Sequence, residues 1–278
     1  MLEQTGLNKM KKLLVCILFV LLGTQVIAQD YNKGLEAANV GDYALALKEW
    51  KPLAEQGNAM AQFGLGVLYS EGNGVLQNYA KAVKWFQLSA EQGYALAQKS
   101  LGYMNEFGYG VLKDYAEAAK WYRLSAEQGD SFSQYSLGFM YNNGDGVPRD
   151  KAEAAKWYRL SAEQGNADAQ YNLGYMYRNG NGVLKDYAEA AKWYRLSAEQ
   201  GNVDAQYNLG FMYNIGNGVL KDSLTAHMWY NIASANGHEY NAGGMRDKLE
   251  TSMTPDAIEK ATAMAKECMA SDYKKCEY

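Results

Sequence analysis

The sequence predicts an all-α protein built from antiparallel helix-turn-helix hairpins that recur every 36 residues. Three observations carry this. Trp85, Trp121, Trp157, Trp193 and Trp229 fall at intervals of 36, with Trp50 one residue out of register, and such a fixed spacing is the signature of a repeat architecture. The 278 residues contain 28 glycines but only three prolines, so regular turns interrupt helical runs that proline leaves unbroken. At 48% hydrophobic residues, the chain is also too apolar to be disordered.

Taken from the amino terminus, the first 28 residues stand apart. Lys11 and Lys12 precede an apolar run from Leu13 to Leu22, and a more polar stretch ends in Val26-Ile27-Ala28. This reads as a secretory signal cleaved after Ala28. An uncleaved anchor is the competing reading, but a span needs about 20 apolar residues and this run is roughly half that. Val15 is bulkier than the residue that normally precedes a lipidated cysteine, which argues against lipidation at Cys16. Met10 is an alternative start. Export predicts a periplasmic or secreted protein.

Removing Lys9, Lys11, Lys12 and Glu3 with the signal lowers the formal charge from −4 to −6. A chain of that charge without a cationic cluster lacks the phosphate-neutralising surface that nucleic-acid binding rests on. Cleavage also removes Cys16 and leaves Cys268 and Cys276, an even count where disulfides persist. A bridge between them is expected, with two reduced thiols as the alternative; bridging requires the chain to leave its helix after about Ala270 and fold back at Ser271-Asp272.

Residues 29–57 form a degenerate amino-terminal cap: a helix to about Val40, a turn at Gly41, and a second helix closing on Ala54-Glu55-Gln56-Gly57. Five repeats follow, at 58–93, 94–129, 130–165, 166–201 and 202–237. In the fourth, Asn166 is placed to cap a first helix whose Ala169, Leu173, Met176 and Tyr177 recur at helical spacing. Asn179-Gly180-Asn181-Gly182 ends it. Asp186, with Glu189 three residues on, makes a capping-box-like start to a second helix. Ala190, Trp193, Tyr194 and Leu196 give that helix its apolar face, and Gly201 closes it. The Asp-x-x-Glu pairing returns as Asp114 with Glu117 and Asp150 with Glu153. From His238 the period is lost, and Thr254-Pro255-Asp256 opens an amphipathic helix to Ala270 within a carboxy-terminal cap of 238–278.

The pattern A-x-x-Q-Y-x-L-G-x-M-Y-x-x-G-x-G-V-x-x-D-x-x-E-A-x-x-W-Y-x-x-S-A-E-Q-G resembles the Sel-one-like repeat, a relative of the tetratricopeptide repeat, and covers residues 58–237. The resemblance implies a right-handed α-solenoid superhelix whose first helices line the concave side. It also implies a role in protein–protein scaffolding, although fold alone does not fix a pathway.

Positions that vary between the units form one stripe of the first helix, apart from the apolar stripe of Ala169, Leu173 and Met176. The stripe carries Phe63 and Glu71; Lys99, Tyr103, Glu106 and Phe107; and Tyr135, Phe139 and Asn142. It continues with Asp168, Tyr171, Tyr175 and Arg178, then Asp204, Tyr207, Phe211 and Asn214. Tyrosine, phenylalanine and arginine supply large contact area with polar handles, so this face is expected to bind a protein or peptide. The competing expectation for the sixth and tenth positions of each unit is that their aromatics fill space between units.

Catalytic signatures are absent. His227 and His238 have no metal-ligand spacing, no cofactor motif is present, and the Asn-Gly turns lack the strand and Lys-Ser/Thr of a phosphate loop. Ser125, Ser161 and Ser197 recur without a neighbouring histidine to act as base. Some cysteine-rich relatives of the repeat family have been associated with β-lactam binding or hydrolysis, but they staple each repeat with a disulfide, and the five repeats here hold no cysteine. An envelope carbohydrate-binding or assembly scaffold, stacking sugars on the tyrosines, is the remaining alternative.

Overall fold

A computed structural model describes residues 31–238 and 241–276. The signal segment, its cleavage point and the alternative start at Met10 lie outside the described residues. The chain divides into two compact units between Ser125 and Ala126. The first contains α1 (31–39), α2 (Tyr43–Glu55), α3 (Ala59–Glu71), α4 (Tyr79–Ala90), α5 (Ala95–Phe107) and α6 (Tyr115–Glu127), the boundary falling in the last turn of α6. The second contains α7 (Ser131–Asn143), α8 (Lys151–Glu163), α9 (Ala167–Asn179), α10 (Tyr187–Ala198), α11 (Val203–Ile215), α12 (Ser223–Ala235), α13 (Ala242–Glu250) and α14 (Pro255–Ala270). No strand occurs among the described residues.

Each repeat is a hairpin of two helices, as α3 with α4, α7 with α8, α9 with α10 and α11 with α12. The first helix opens on a side-chain cap: the Oδ1 of Asn58, Asp130, Asn166 and Asn202 accepts a backbone N–H three residues on, at 2.8 to 2.9 Å. Tyr94 opens α5 without such a bond. Gly180 ends α9 at φ 69°, left-handed, and returns its N–H to the Met176 carbonyl. Two residues later Gly182, φ 71°, lies so close to the backbone of Lys151 and Ala152 that a Cβ would strike main chain. This second glycine therefore sets how closely the turn approaches the start of the preceding repeat's second helix.

The second helix opens on aspartate. Asp186 Oδ1 accepts the N–H groups of Ala188 and Glu189 at 2.9 and 3.0 Å. The reciprocal half of the expected capping box is replaced by other contacts: Glu189 accepts from the Trp193 indole at 3.1 Å and pairs with Lys192 at 3.5 Å. Glu153 and Glu117 pair in the same way with Lys156 and Lys120.

Packing within a repeat centres on the aromatic after each tryptophan. Phe86, Tyr122, Tyr158, Tyr194 and Tyr230 are buried, each lying over a first-helix glycine, namely Gly66, Gly102, Gly138, Gly174 and Gly210. A Cβ at Gly138 would stand 2.8 Å from the Tyr158 ring, so the glycine is what lets the ring reach the neighbouring helix. Trp157 and Trp193 keep a slightly exposed edge, and Trp229 is fully buried.

Buried polar groups tie repeats together. Gln170 donates to the Ala162 carbonyl of the preceding repeat at 3.1 Å and accepts from Gln200 at 2.7 Å. The arrangement returns in Gln62 with Ala54 and Gln92, in Gln134 with Ala126 and Gln164, and in Gln206 with Ala198 and Asn236. At the carboxy end, α13 and α14 pack on α12, and His227, wholly buried, meets Glu250 at 2.8 Å. The chain leaves α14 at Ala270, turns through Asp272 and Tyr273 at φ 54° and 60°, and brings Cys276 into a disulfide with Cys268 across a Cα separation of 4.7 Å.

Candidate functional site

The exposed face of the first helices has two layers, and the structure sorts the residues of the variable stripe between them. In the inner layer, the sixth-position aromatics lean on the buried ring of their own repeat: Phe63 on Phe86, Tyr135 on Tyr158, Tyr171 on Tyr194 and Tyr207 on Tyr230, with centroids 5.7 to 5.9 Å apart. All four are only partly exposed, so they act first as packing. Tyr207 is further covered by His238, stacked at 4.3 Å, whose Nε2 lies 3.4 Å from Asp204.

The outer layer holds Tyr103, Phe139 and Tyr175, each about two-fifths exposed. Phe211 occupies the same position in the fifth repeat but lies under the Arg178 guanidinium, 4.9 Å away. Arg178 also donates to Asn208 at 2.6 Å, so it is a bridge between the fourth and fifth repeats, and its removal carries a stability cost that the sequence did not reveal. Asn214 is half-buried on α11. Asp168 stays exposed and accepts from Asn202 at 3.1 Å. Lys99 is half-buried on α5.

One repeat earlier the bridge is missing and a cleft stands in its place. Asn142 and Asn172 occupy the positions that Arg178 and Asn208 hold between the fourth and fifth repeats. An asparagine is too short to span the gap. The cleft that results has a volume of 190 Å³ and is lined by Asn142, Tyr158, Tyr171, Asn172, Tyr175 and Met176. Two amides able both to donate and to accept share the cleft with three tyrosines and Met176. Burial raises the pKa of Tyr171, and the charge of Asp204 adds to this; burial raises Tyr158 as well. These phenols are neutral hydrogen-bonding groups at physiological pH, not bases. Periodicity pointed to Tyr171, Tyr175 and Asn142; Asn172 and Tyr158 enter the lining only through the register of neighbouring repeats.

Other chemistry expected or dismissed from sequence finds these surroundings. The Ser125, Ser161 and Ser197 hydroxyls donate to the carbonyls of Ala95, Ser131 and Ala167 at 2.7 to 2.9 Å, which ties the end of each second helix to the start of the first. Among the described residues no three His, Cys, Asp or Glu side chains are grouped to hold a metal, and no helix is long and apolar enough to cross a membrane.

The Sel1 repeat model matches residues 59–94, 95–130, 131–166, 167–202 and 203–238. Among solved structures, the chain is similar to a Sel1 repeat protein from Oxalobacter formigenes, with 34% identity and a TM-score of 0.75 over 85% of this chain and 99% of that one. It is also similar to a protective antigen of uropathogenic Escherichia coli strains that displays an SLR fold, with 27% identity and a TM-score of 0.52 over 89% of this chain and 70% of that one. No curated protein matches the chain in sequence.

Proposed function

The chain belongs to the Sel1 repeat family, and from that premise we propose that it is an exported scaffold that binds a partner protein rather than an enzyme, gripping an extended peptide at the first-helix cleft of the second unit. The observation that carries this is the gap left where Asn142 and Asn172 replace the Arg178–Asn208 bridge. Side-chain amides satisfy the alternating donors and acceptors of a peptide backbone, and Tyr171 and Tyr175 offer a partner side chain aromatic area at little entropic cost. Export rests on the leader read in residues 1–28.

The test plugs the cleft instead of dismantling it. Asn142→Arg gives the third repeat the side chain that already spans to the next repeat from position 178, so the fold has room for it. Affinity capture from envelope extract with the full chain should retain a protein that Asn142→Arg and Tyr175→Ala both lose, with unchanged circular dichroism. Retention of the same proteins by all three chains would refute the cleft as the binding site.

A further inference from the structure

We propose that, within each of the two units, the leucine-tipped turns joining the first and second helix of a repeat are lipid-facing, a peripheral membrane contact separate from the first-helix cleft. Leu76, Leu112, Leu184 and Leu220 occupy one repeat position, at the tips of these turns, and are 90%, 91%, 91% and 90% exposed. A lone exposed leucine is ordinary; four at one repeat position, almost wholly in solvent, are not. The turn itself does not need them, because the third repeat makes the same turn with Pro148 there.

The surroundings of the tips share this character. Lys113, Lys185 and Lys221 follow three of the leucines directly, and the Lys113 and Lys185 ammonium groups lie over the rings of Tyr115 and Tyr187 at 4.4 and 4.7 Å. The adjacent aspartates, Asp114 and Asp186, are exposed but accept backbone N–H groups at the start of the second helix, where the helix dipole partly offsets their charge. In the first unit, Phe107 and Tyr109 add exposed rings beside the turn, packed on each other and on Tyr103 and Tyr79 at 4.6 to 6.1 Å. The third and fourth repeats place the polar residues Asn143 and Asp145, and Asn179 and Asn181, at those two positions, and the fifth has Ile215 and Asn217.

Shape favours lipid over a protein surface. Protein hot spots sit in recessed, fully packed pockets, whereas these leucines are knobs without flanking walls. A fluid interface needs no matching hole, takes up leucine below the headgroups, and suits tyrosine and lysine at headgroup level. Such docking involves side-chain tips only and is distinct from a helix that spans the bilayer.

The measurement is co-sedimentation of the full chain with vesicles, beside a variant carrying Leu76→Ser, Leu112→Ser, Leu184→Ser and Leu220→Ser. Any contribution from the amino-terminal apolar run is common to both. The vesicles are phosphatidylethanolamine with phosphatidylglycerol in one set and phosphatidylcholine in the other. We expect the native chain to bind both, more tightly to the anionic set, and the variant to lose about tenfold or more in partition. Because the four side chains touch almost nothing, circular dichroism should be unchanged. Equal partition of the two chains, or no partition of either, overturns the proposal. So does a native chain that ignores vesicles while the variant loses a captured protein, since the turns would then be a protein contact. Asn142→Arg should leave vesicle binding intact, which separates failure here from failure of the cleft.

Discussion

Single residues show where a repeat sequence is transparent and where it is not. The tryptophan period exposed the fold at once, yet the ring that fills each repeat is the phenylalanine or tyrosine beside it, and it fits only because a glycine faces it. Neither partner is unusual alone; their meaning lies in the contact between helices. The same holds for Arg178, which the sequence places in the variable stripe and which the structure makes a bridge to Asn208. Gln170 receives no role from the sequence, yet its one side-chain amide makes two polar contacts. It donates across a repeat boundary and accepts within its own repeat while being almost wholly buried. Gln170→Ala should lower stability by about 1–3 kcal/mol, because the Ala162 carbonyl and the Gln200 amide both lose a partner. Urea denaturation would check this; a change below about 0.5 kcal/mol would mean that water replaces both bonds.

Among the helices, the boundaries were legible because their chemistry is local. Asn166 caps, Gly180 closes, Asp186 reopens, and each does so through a bond to its own neighbourhood. Where two outcomes compete for one side chain, sequence could not choose between them: Glu189 was placed for a reciprocal cap and instead holds Trp193 and Lys192. The two halves of that motif therefore differ in weight. Asp186→Ala should cost about 0.5–2 kcal/mol, the usual range for losing an N-cap. Glu189→Ala should cost less than about 1 kcal/mol, as expected for a half-exposed ion pair. Thermal melts of the two variants would rank them, and an equal or reversed order would restore the full capping box. The cleft was half legible on the same grounds. Tyr171 and Tyr175 lie on a helical stripe visible in one repeat, but the existence of the cleft depends on comparing the asparagines of one junction with the arginine of the next.

For the whole molecule, stability is a sum of repeats and of the contacts between neighbours. The two ends need different solutions: at the amino end α2 packs on α3, while the carboxy end is closed by α13 and α14 and the Cys268–Cys276 disulfide. The glutamine contact has a consequence for how such a chain changes length. Each repeat presents the same carbonyl to its successor and the same amide to its predecessor, so any two repeats are compatible neighbours. Deleting residues 166–201 would bring the Ala162 carbonyl opposite Gln206, which now bonds the equivalent Ala198. That 36-residue deletion is expected to give a shorter folded protein with a cooperative melt, whereas deleting 18 residues, half a repeat, should give none. Gene rearrangement can therefore lose or duplicate whole repeats without redesigning a junction, and the array is a reading frame in space, tolerant of whole steps and intolerant of fractions.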